Sequence, residues 1–157
     1  MLINRKVDLS VYYYLDDLLT SSDSVTVVDA FPLDERGVPS GDLSLPTVAS
    51  QRLPITIKPY QLGGAGLPWY HYAIDIYANS KTQRDYLAYK IQADLDNSNI
   101  AVNDYDEGFP PTVTPTRIGT LVIWGDITNS VVYVFPEVTQ KLYWRAVVDF
   151  IGYYSPS

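Results

Sequence analysis

The sequence contains no cysteine and only one histidine, His71, and both shortages exclude kinds of functional site. Without cysteine, the chain has no disulfide scaffold, no thiol nucleophile and no thiolate ligand for a metal. A single histidine cannot build the zinc sites that need several, and we interpret His71 as a structural or surface residue. The absence of cysteine fits folding in a reducing cytoplasm.

The sequence also lacks a long apolar run and a surplus of basic residues. No segment approaches the roughly 20 apolar residues of a membrane span, and the N-terminal residues do not have the apolar stretch of a signal peptide. Eleven Lys and Arg residues stand against eighteen Asp and Glu, which gives a net charge of −7. Because nucleic-acid-binding proteins need a basic face, we expect no specific DNA binding. Because no apolar segment is long enough to span a bilayer, we expect no membrane partner.

Tyrosine, by contrast, is abundant, with fourteen residues in a chain of 157. Hydrophobic residues make up 46% of the sequence, so we expect a folded protein with a single domain over residues 1–157. Tyrosine favours β-strands and is also enriched at protein interfaces. Two interpretations therefore stay open, a tyrosine-rich sheet and surfaces that contact other chains.

Two segments have the periodicity of amphipathic helices. In the first, Asp8 is a candidate N-cap for a helix through VYYYLDDLL, which the polar residues 21–24 end. In the second, Ser80 and Gln83 have the spacing of a capping box, and residues 97–99 end the helix. The apolar positions expected to face a core are Val11, Tyr14, Leu15, Leu18 and Leu19 in the first helix, and Leu87, Ala88, Ile91 and Leu95 in the second.

The other patterned segments predict strands. The clearest is WYHYAIDIYA, residues 69–78, whose even-numbered residues are expected to face a core while the odd-numbered face is more polar. GDITNS, residues 125–130, is predicted as the turn of a hairpin between 117–124 and 131–135. Further extended segments are predicted at 24–31, 47–60, 100–105 and 138–154.

The order of these elements is helix, strands, helix, strands. It predicts an α+β fold, a mostly antiparallel β-sheet with two helices packed on one face. Residues 33–46 contain two glycines, two prolines and no periodicity. We predict one long extended loop or arm there, of a length that is uncommon in compact domains unless the loop binds something or is disordered.

The stretch QLGGAGLPWYHY, residues 61–72, carries a glycine cluster of the kind that can cradle a phosphate. A Walker loop ends in Gly-Lys-Ser/Thr and opens a helix, whereas Gly66 is followed by Leu-Pro and a predicted strand. We therefore predict a turn whose glycines allow a hairpin or a close approach to another subunit. The candidate contacts with another subunit or partner are Gly63, Gly64, Gly66, Trp69 and Tyr70.

An acidic loop contains Asp104, Asp106 and Glu107, a spacing at which carboxylates can hold calcium. The later ligand positions of an EF-hand do not match, and a solvated acidic turn is the favoured interpretation. No set of residues in the sequence combines a nucleophile, a base and an oxyanion donor. We predict no catalytic residue, no cofactor and no metal site.

Residues 45–108 resemble the head–tail joining proteins of tailed bacteriophages, and most of all their tail terminator, or neck, proteins. The similar segments are PITIKPYQLGG, the strand YHYAIDIYA and SKTQRDYLAYKIQADLDNSNIAVNDYD, which ends in a short strand. The resemblance implies a virion protein made in the host bacterial cytoplasm. It implies a ring, usually a hexamer of the chain, that caps the tail tube and joins it to a neck or connector protein on the head side. DNA would pass through the central channel without specific binding.

Two alternatives remain at this stage. The first is a head-closure or adaptor ring of the same neck, which the sequence does not separate from a tail terminator. The second is a glycan-binding module, in which exposed Trp69, Trp124 or Trp144 stacks on sugars. A solution mass near six chains favours a ring, whereas a monomer that binds glycans favours the module.

Overall fold

The computed structural model describes residues 1–29, 44–54, 56–59, 66–132 and 144–157. Within these ranges the chain forms two helices, α1 (Ile3–Asp23) and α2 (Lys81–Asn97), and eight strands. The strands are β1 (Thr26–Val28), β2 (Thr47–Arg52), β3 (Thr56–Pro59), β4 (Gly66–Ala78), β5 (Ile100–Asn103), β6 (Arg117–Ile123), β7 (Thr128–Val132) and β8 (Trp144–Pro156). The predicted α+β class is confirmed.

The described strands belong to one curled sheet that is mostly antiparallel. Its main path runs β1-β2-β4-β8-β6-β5, with β3 paired to β4 and β7 paired to β8. β1 and β2 are parallel, and the other described pairs are antiparallel. The long strands β4 and β8 pair from Trp69 opposite Tyr153 to Ala78 opposite Trp144. This pair forms the centre of the sheet, and its register decides which side chains of the two strands are neighbours.

Both helices pack on the same face of the sheet. On β4 the even-numbered residues 70–76 face the helices, and each is at most 1% exposed. The helical residues of the buried core cluster are Val7, Val11, Leu15 and Leu19 of α1, and Leu87, Ala88, Ile91 and Leu95 of α2. Side chains at this spacing lie on one stripe of a helix, so the predicted core faces of both helices and of β4 are confirmed. Tyr14 and Leu18 lie at the margin of the α1 stripe and are partly buried.

The two helix starts differ from each other in how well the sequence predicts them. Ser80 Oγ accepts a hydrogen bond from the Gln83 N–H at 3.2 Å, as predicted. The return bond of the capping box differs, because Gln83 Oε1 accepts from the Asn79 N–H at 2.8 Å and not from the Ser80 N–H. The prediction that Asp8 caps α1 is wrong, because the helix begins at Ile3 and Asp8 lies inside it. Asp8 instead accepts a hydrogen bond from the Tyr72 hydroxyl at 2.7 Å and so joins the helix to the sheet.

The predicted hairpin between 117–124 and 131–135 is also wrong. β6 and β7 do not pair with each other, since both run antiparallel to β8 along the same edge. Ile123 lies opposite Gly152 and Thr128 lies opposite Asp149. Four residues, 124–127, therefore stand against two on β8, which makes this segment a bulge in one interrupted strand. Gly125 has a φ of 81°, a left-handed conformation that glycine adopts without strain.

Several predictions fall wholly or partly outside the described residues. They include most of the predicted loop at 33–46, two of the candidate contacts, Gly63 and Gly64, and residues 133–135 of the predicted hairpin. The extended segment predicted at 47–60 is confirmed where it is described, as β2 and β3. The strand predicted at 24–31 is shorter than expected and covers Thr26–Val28.

Candidate interaction surface

The sheet face turned away from the helices changes character along β4 and β8. At one end, Asp75 and Tyr77 are 7% and 1% exposed, although this face was expected to be the more polar one. Arg145 of β8 accounts for part of this burial, because its Nη2 lies 2.6 Å from Asp75 Oδ1 and its guanidinium lies over the Tyr77 ring. An ion pair and a cation–π contact thus close this end.

The other end of the same face carries a group of aromatic and apolar side chains, which we call the aromatic patch: Trp69, Trp124, Ile151 and Tyr153. Trp69 and Tyr153 are opposite each other on β4 and β8, with ring centroids 5.6 Å apart. The Trp124 ring lies 6.3 Å from Trp69 and 6.4 Å from Tyr153. Trp69 is buried, whereas Trp124 is 61% exposed and Ile151 is 39% exposed. The patch therefore has a buried base and an exposed rim.

The bulge at 124–127 presents Trp124 on this face. The Trp124 N–H donates to the Ile151 carbonyl at 2.9 Å, so the backbone of Trp124 is still held by β8. The next residue is Gly125, with its positive φ, and the chain rejoins β8 only at Thr128. Bulges are common where a strand must redirect a side chain, and this one presents a large aromatic residue that is held at its backbone.

His71 lies on the same face, beside the patch. Its Nε2 is 3.6 Å from Asp149 Oδ1, and both side chains are about a third exposed. The contact fits the interpretation of His71 as a structural or surface residue. Within the described part of the chain, no group of three His, Asp or Glu side chains could hold a metal ion.

The predicted contact residues have different positions in the structure. Tyr70 is fully buried on the helix-facing side, and its hydroxyl donates to Asn4 Oδ1 at 2.8 Å, so it offers no surface to a partner in this conformation. Trp69 forms the base of the aromatic patch, and Gly66 is the first residue of β4. The sequence alone predicts no contact role for Ile151 or Tyr153, and it offers Trp124 only as a residue that could stack on a sugar. The cross-strand register that joins them to Trp69 is the signal that would have identified them.

A second aromatic group, which we call the loop cluster, consists of Tyr12, Tyr13, Tyr105 and Phe109. The Phe109 ring centroid lies 5.4–5.6 Å from those of the three tyrosines, each edge-on, and Tyr13 stacks on Tyr105 at 5.9 Å. These contacts pack the loop after β5 against α1. The ends of that loop are joined by a hydrogen bond from the Asp104 N–H to the Thr116 carbonyl at 2.8 Å.

The acidic loop is neutralised by a side chain of the protein itself. Lys6 Nζ lies 2.8 Å from both Asp104 Oδ1 and Asp106 Oδ2. The hydrogen bond from Lys6, together with one from the N-terminal amino group, lowers the pKa of Asp106 to about 2. An ammonium group thus occupies the position between these two carboxylates that a cation would take.

Comparison with known proteins gives no further guide to function. No protein-family model matches the chain, and no curated protein matches it at a significant level. In the described ranges, neither helix combines the length and the apolar composition that spanning a bilayer requires.

Proposed function

We propose that this chain is a structural subunit of the head–tail junction of a tailed bacteriophage. Copies of it form a ring, most simply a hexamer, that caps the tail tube and joins it to the neck or connector protein on the head side. The proposal rests on the resemblance of residues 45–108 to tail terminator proteins and on one feature of the molecule, the aromatic patch.

The aromatic patch carries the proposal because it has the properties of a subunit contact. Closed rings are built from heterologous interfaces, in which a surface of one subunit meets a different surface of the next. Large aromatic side chains dominate such interfaces, since they bury much apolar area and lose little conformational entropy. Trp124 is 61% exposed, so a neighbouring subunit that covers it removes apolar ring surface from water, which favours association.

The charge of the chain is compatible with a DNA channel. At a net charge of −7, an acidic lumen would let DNA pass because like charges repel. This part of the proposal requires carboxylates to dominate the lumen. A channel lined mainly by Arg and Lys side chains would contradict it.

Solution mass tests ring formation and the role of the patch together. We expect the chain to sediment near six times its 17.6 kDa mass, and we expect Trp124→Ala to shift it to the mass of one chain. Tyr86→Ala is the matched control, because it removes another half-exposed aromatic side chain from α2, outside the patch. If Trp124→Ala leaves the ring intact, the patch is not the subunit contact.

A monomer in isolation calls for a second measurement, since some joining proteins assemble only on their partner. Purified tail tubes of the phage that encodes the chain should then bind it at one end. Binding to the end of the tube supports the tail terminator role. Binding only to the neck or connector protein on the head side supports a head-closure or adaptor ring. A chain that binds neither is not a junction protein.

The glycan-binding alternative makes a different prediction for the same patch. Trp69 and Trp124 meet at 77°, edge to face, and only Trp124 is exposed, so the two rings do not form a flat surface for a sugar. A monomeric chain that binds a glycan array, and loses that binding in Trp124→Ala, would favour this alternative over the ring.

A further inference from the structure

A groove lies between the C-terminal half of α2 and the bulge, on the opposite side of the strand from the aromatic patch. Its volume is about 670 Å³, and Tyr89, Gln92, Asp96, Asp126 and Ile127 are among the residues that line it. A smaller cavity of about 200 Å³ shares Asp96, Gly125 and Ile127 with it and extends it toward the end of the helix.

The two walls of the groove are fastened to each other. Gln92 Nε2 donates to the Ile127 carbonyl at 2.9 Å, which ties the middle of the helix to the bulge. Near the end of the helix, Asn99 Oδ1 accepts a hydrogen bond from the Ile123 N–H at 3.0 Å. The groove is therefore pre-formed, and a partner would not need to order its walls.

The groove is negatively charged, and nothing in the described ranges neutralises it. Asp96 and Asp126 are exposed and have no hydrogen-bond or ion-pair partner among the described residues. Helix C-termini carry a partial negative charge that basic residues usually offset, but the last turn of α2 contains none. The nearest lysine of the helix, Lys90, is paired with Asp23 at 2.5 Å instead.

An exposed aromatic ring stands beside these carboxylates. Tyr89 lines the groove and is 68% exposed, about two helical turns before Asp96 and therefore on the same side of the helix. A guanidinium group satisfies both features at once, because it pairs with carboxylates through a planar fork of donors and stacks on an aromatic face. A metal ion fits less well, since the described part of the chain contains no group of three possible ligands.

We propose that this groove binds an arginine-bearing segment of a partner polypeptide. Asp96, Asp126 and the C-terminal end of α2 supply the charge that attracts the guanidinium groups, and Tyr89 supplies the ring on which one of them stacks. This proposal is independent of the proposed ring, because it does not require the chain to assemble with itself through the aromatic patch.

Fluorescence anisotropy with a labelled peptide tests the proposal. The probe is a nine-residue peptide of alternating glycine and arginine, and the control peptide has neutral citrulline at each arginine. We expect saturable binding of the arginine peptide and none of the citrulline peptide. Asp96→Asn with Asp126→Asn should weaken binding about tenfold, and Tyr89→Ala about threefold.

The matched control separates a local site from the general attraction of an acidic protein. Asp17→Asn with Glu107→Gln removes the same two charges from exposed positions outside the groove and should change the affinity less than twofold. Equal weakening by both double variants, or no binding of the arginine peptide by the wild-type chain, would overturn the proposal.

A second copy of the chain is the competing occupant, and the same variants identify it. If the groove double variant lowers the sedimenting mass while the wild-type chain fails to bind the arginine peptide, the groove is a subunit contact and the proposal is wrong. If the isolated chain is a monomer but peptide binding depends on Asp96 and Asp126, the groove proposal stands. The proposed ring is then decided by the tail-tube measurement, and it fails if the chain binds neither the tube nor the head side.

Discussion

The loop cluster and the aromatic patch both consist largely of aromatic side chains, but they differ in how much of those side chains is exposed to solvent. In the loop cluster, Phe109 meets three tyrosines, and Tyr105 is 1% exposed. In the aromatic patch, Trp69 is covered, but Trp124 keeps 61% of its surface in solvent. The side chains of the first group are buried or partly buried within the chain, whereas the second group leaves one of its two tryptophan rings mostly in solvent.

This difference separates a role in folding from a role in assembly. An aromatic side chain that is already buried contributes to the stability of the subunit, so its truncation leaves a cavity. An exposed one contributes little until a partner covers it. Truncation of a side chain in the loop cluster is therefore expected to lower the stability of the subunit. Truncation of Trp124 in the aromatic patch is expected to weaken association and to change subunit stability little.

The largest loss of stability is expected for Phe109→Ala. The ring joins all three tyrosines of the loop cluster, and its removal leaves a gap between the loop and α1. Because Phe109 is half-buried, we expect the free energy of unfolding to fall by about 2–3 kcal/mol, less than for a fully buried phenylalanine. Urea unfolding followed by circular dichroism measures it, and an unchanged midpoint would show that the cluster does not hold the loop.

The ion pairs of Lys6 should make the stability of the protein to urea depend on pH in the acidic range. Since the pKa of Asp106 is lowered to about 2, its contribution is present above the ordinary aspartate range and is lost as the pH falls toward 2. We expect the urea midpoint to fall over that range in the wild-type chain and to fall less in Lys6→Met. Lys81→Met, at an exposed lysine, is the control and should keep the wild-type profile.

Trp124→Ala should cost the isolated subunit less than about 1 kcal/mol, although tryptophan is the larger residue. Most of its side chain is in solvent, and its aromatic contacts in the described ranges are with Trp69 and Tyr153. The measurement needs a protein concentration at which the chain is monomeric, so that assembly does not add to stability. A loss as large as that of Phe109→Ala would remove the contrast between the two groups.

The smallest effect is expected for Tyr105→Phe. The Tyr105 hydroxyl is buried and has no hydrogen-bond partner in the described part of the chain. Removing a buried polar group that is unsatisfied costs nothing in hydrogen bonding, so the stability should stay the same or rise by up to about 1 kcal/mol. A clear loss in urea unfolding would show that the hydroxyl has a partner after all.

The parts of the fold that depend on neighbouring residues could be predicted from the sequence. The Ser80 cap and the stripe through Leu87 and Ile91 are encoded within α2, and the alternation of β4 gave its core face. The pairing of β7 could not be predicted, because GDITNS has the composition of a turn while its strand pairs with β8, some twenty residues further on. The prediction that Asp8 is a cap is wrong for a different, local reason, since residues 3–7 before it already belong to the helix.

The candidate surface was predictable only in part. The position of Trp69 beside the glycines predicts it as a contact residue. Tyr153 and Trp124 could not be predicted to join it, because they contact it from segments that are distant in sequence. Tyr70 is predicted as a contact residue together with Trp69. Adjacent residues of a strand point to opposite faces, however, and Tyr70 faces the helices. The burial of Asp75 likewise depends on Arg145 of β8 and thus on the register of the sheet.

Because the proposed function assigns the chain to the particle of a tailed phage, an electron-microscopy map of that particle tests the central claim most directly. The account predicts a ring of its copies at the head–tail junction, on the end of the tail tube, with Trp124 buried against a neighbouring subunit. Absence of the chain from the particle, or a ring in which Trp124 faces solvent, would contradict it.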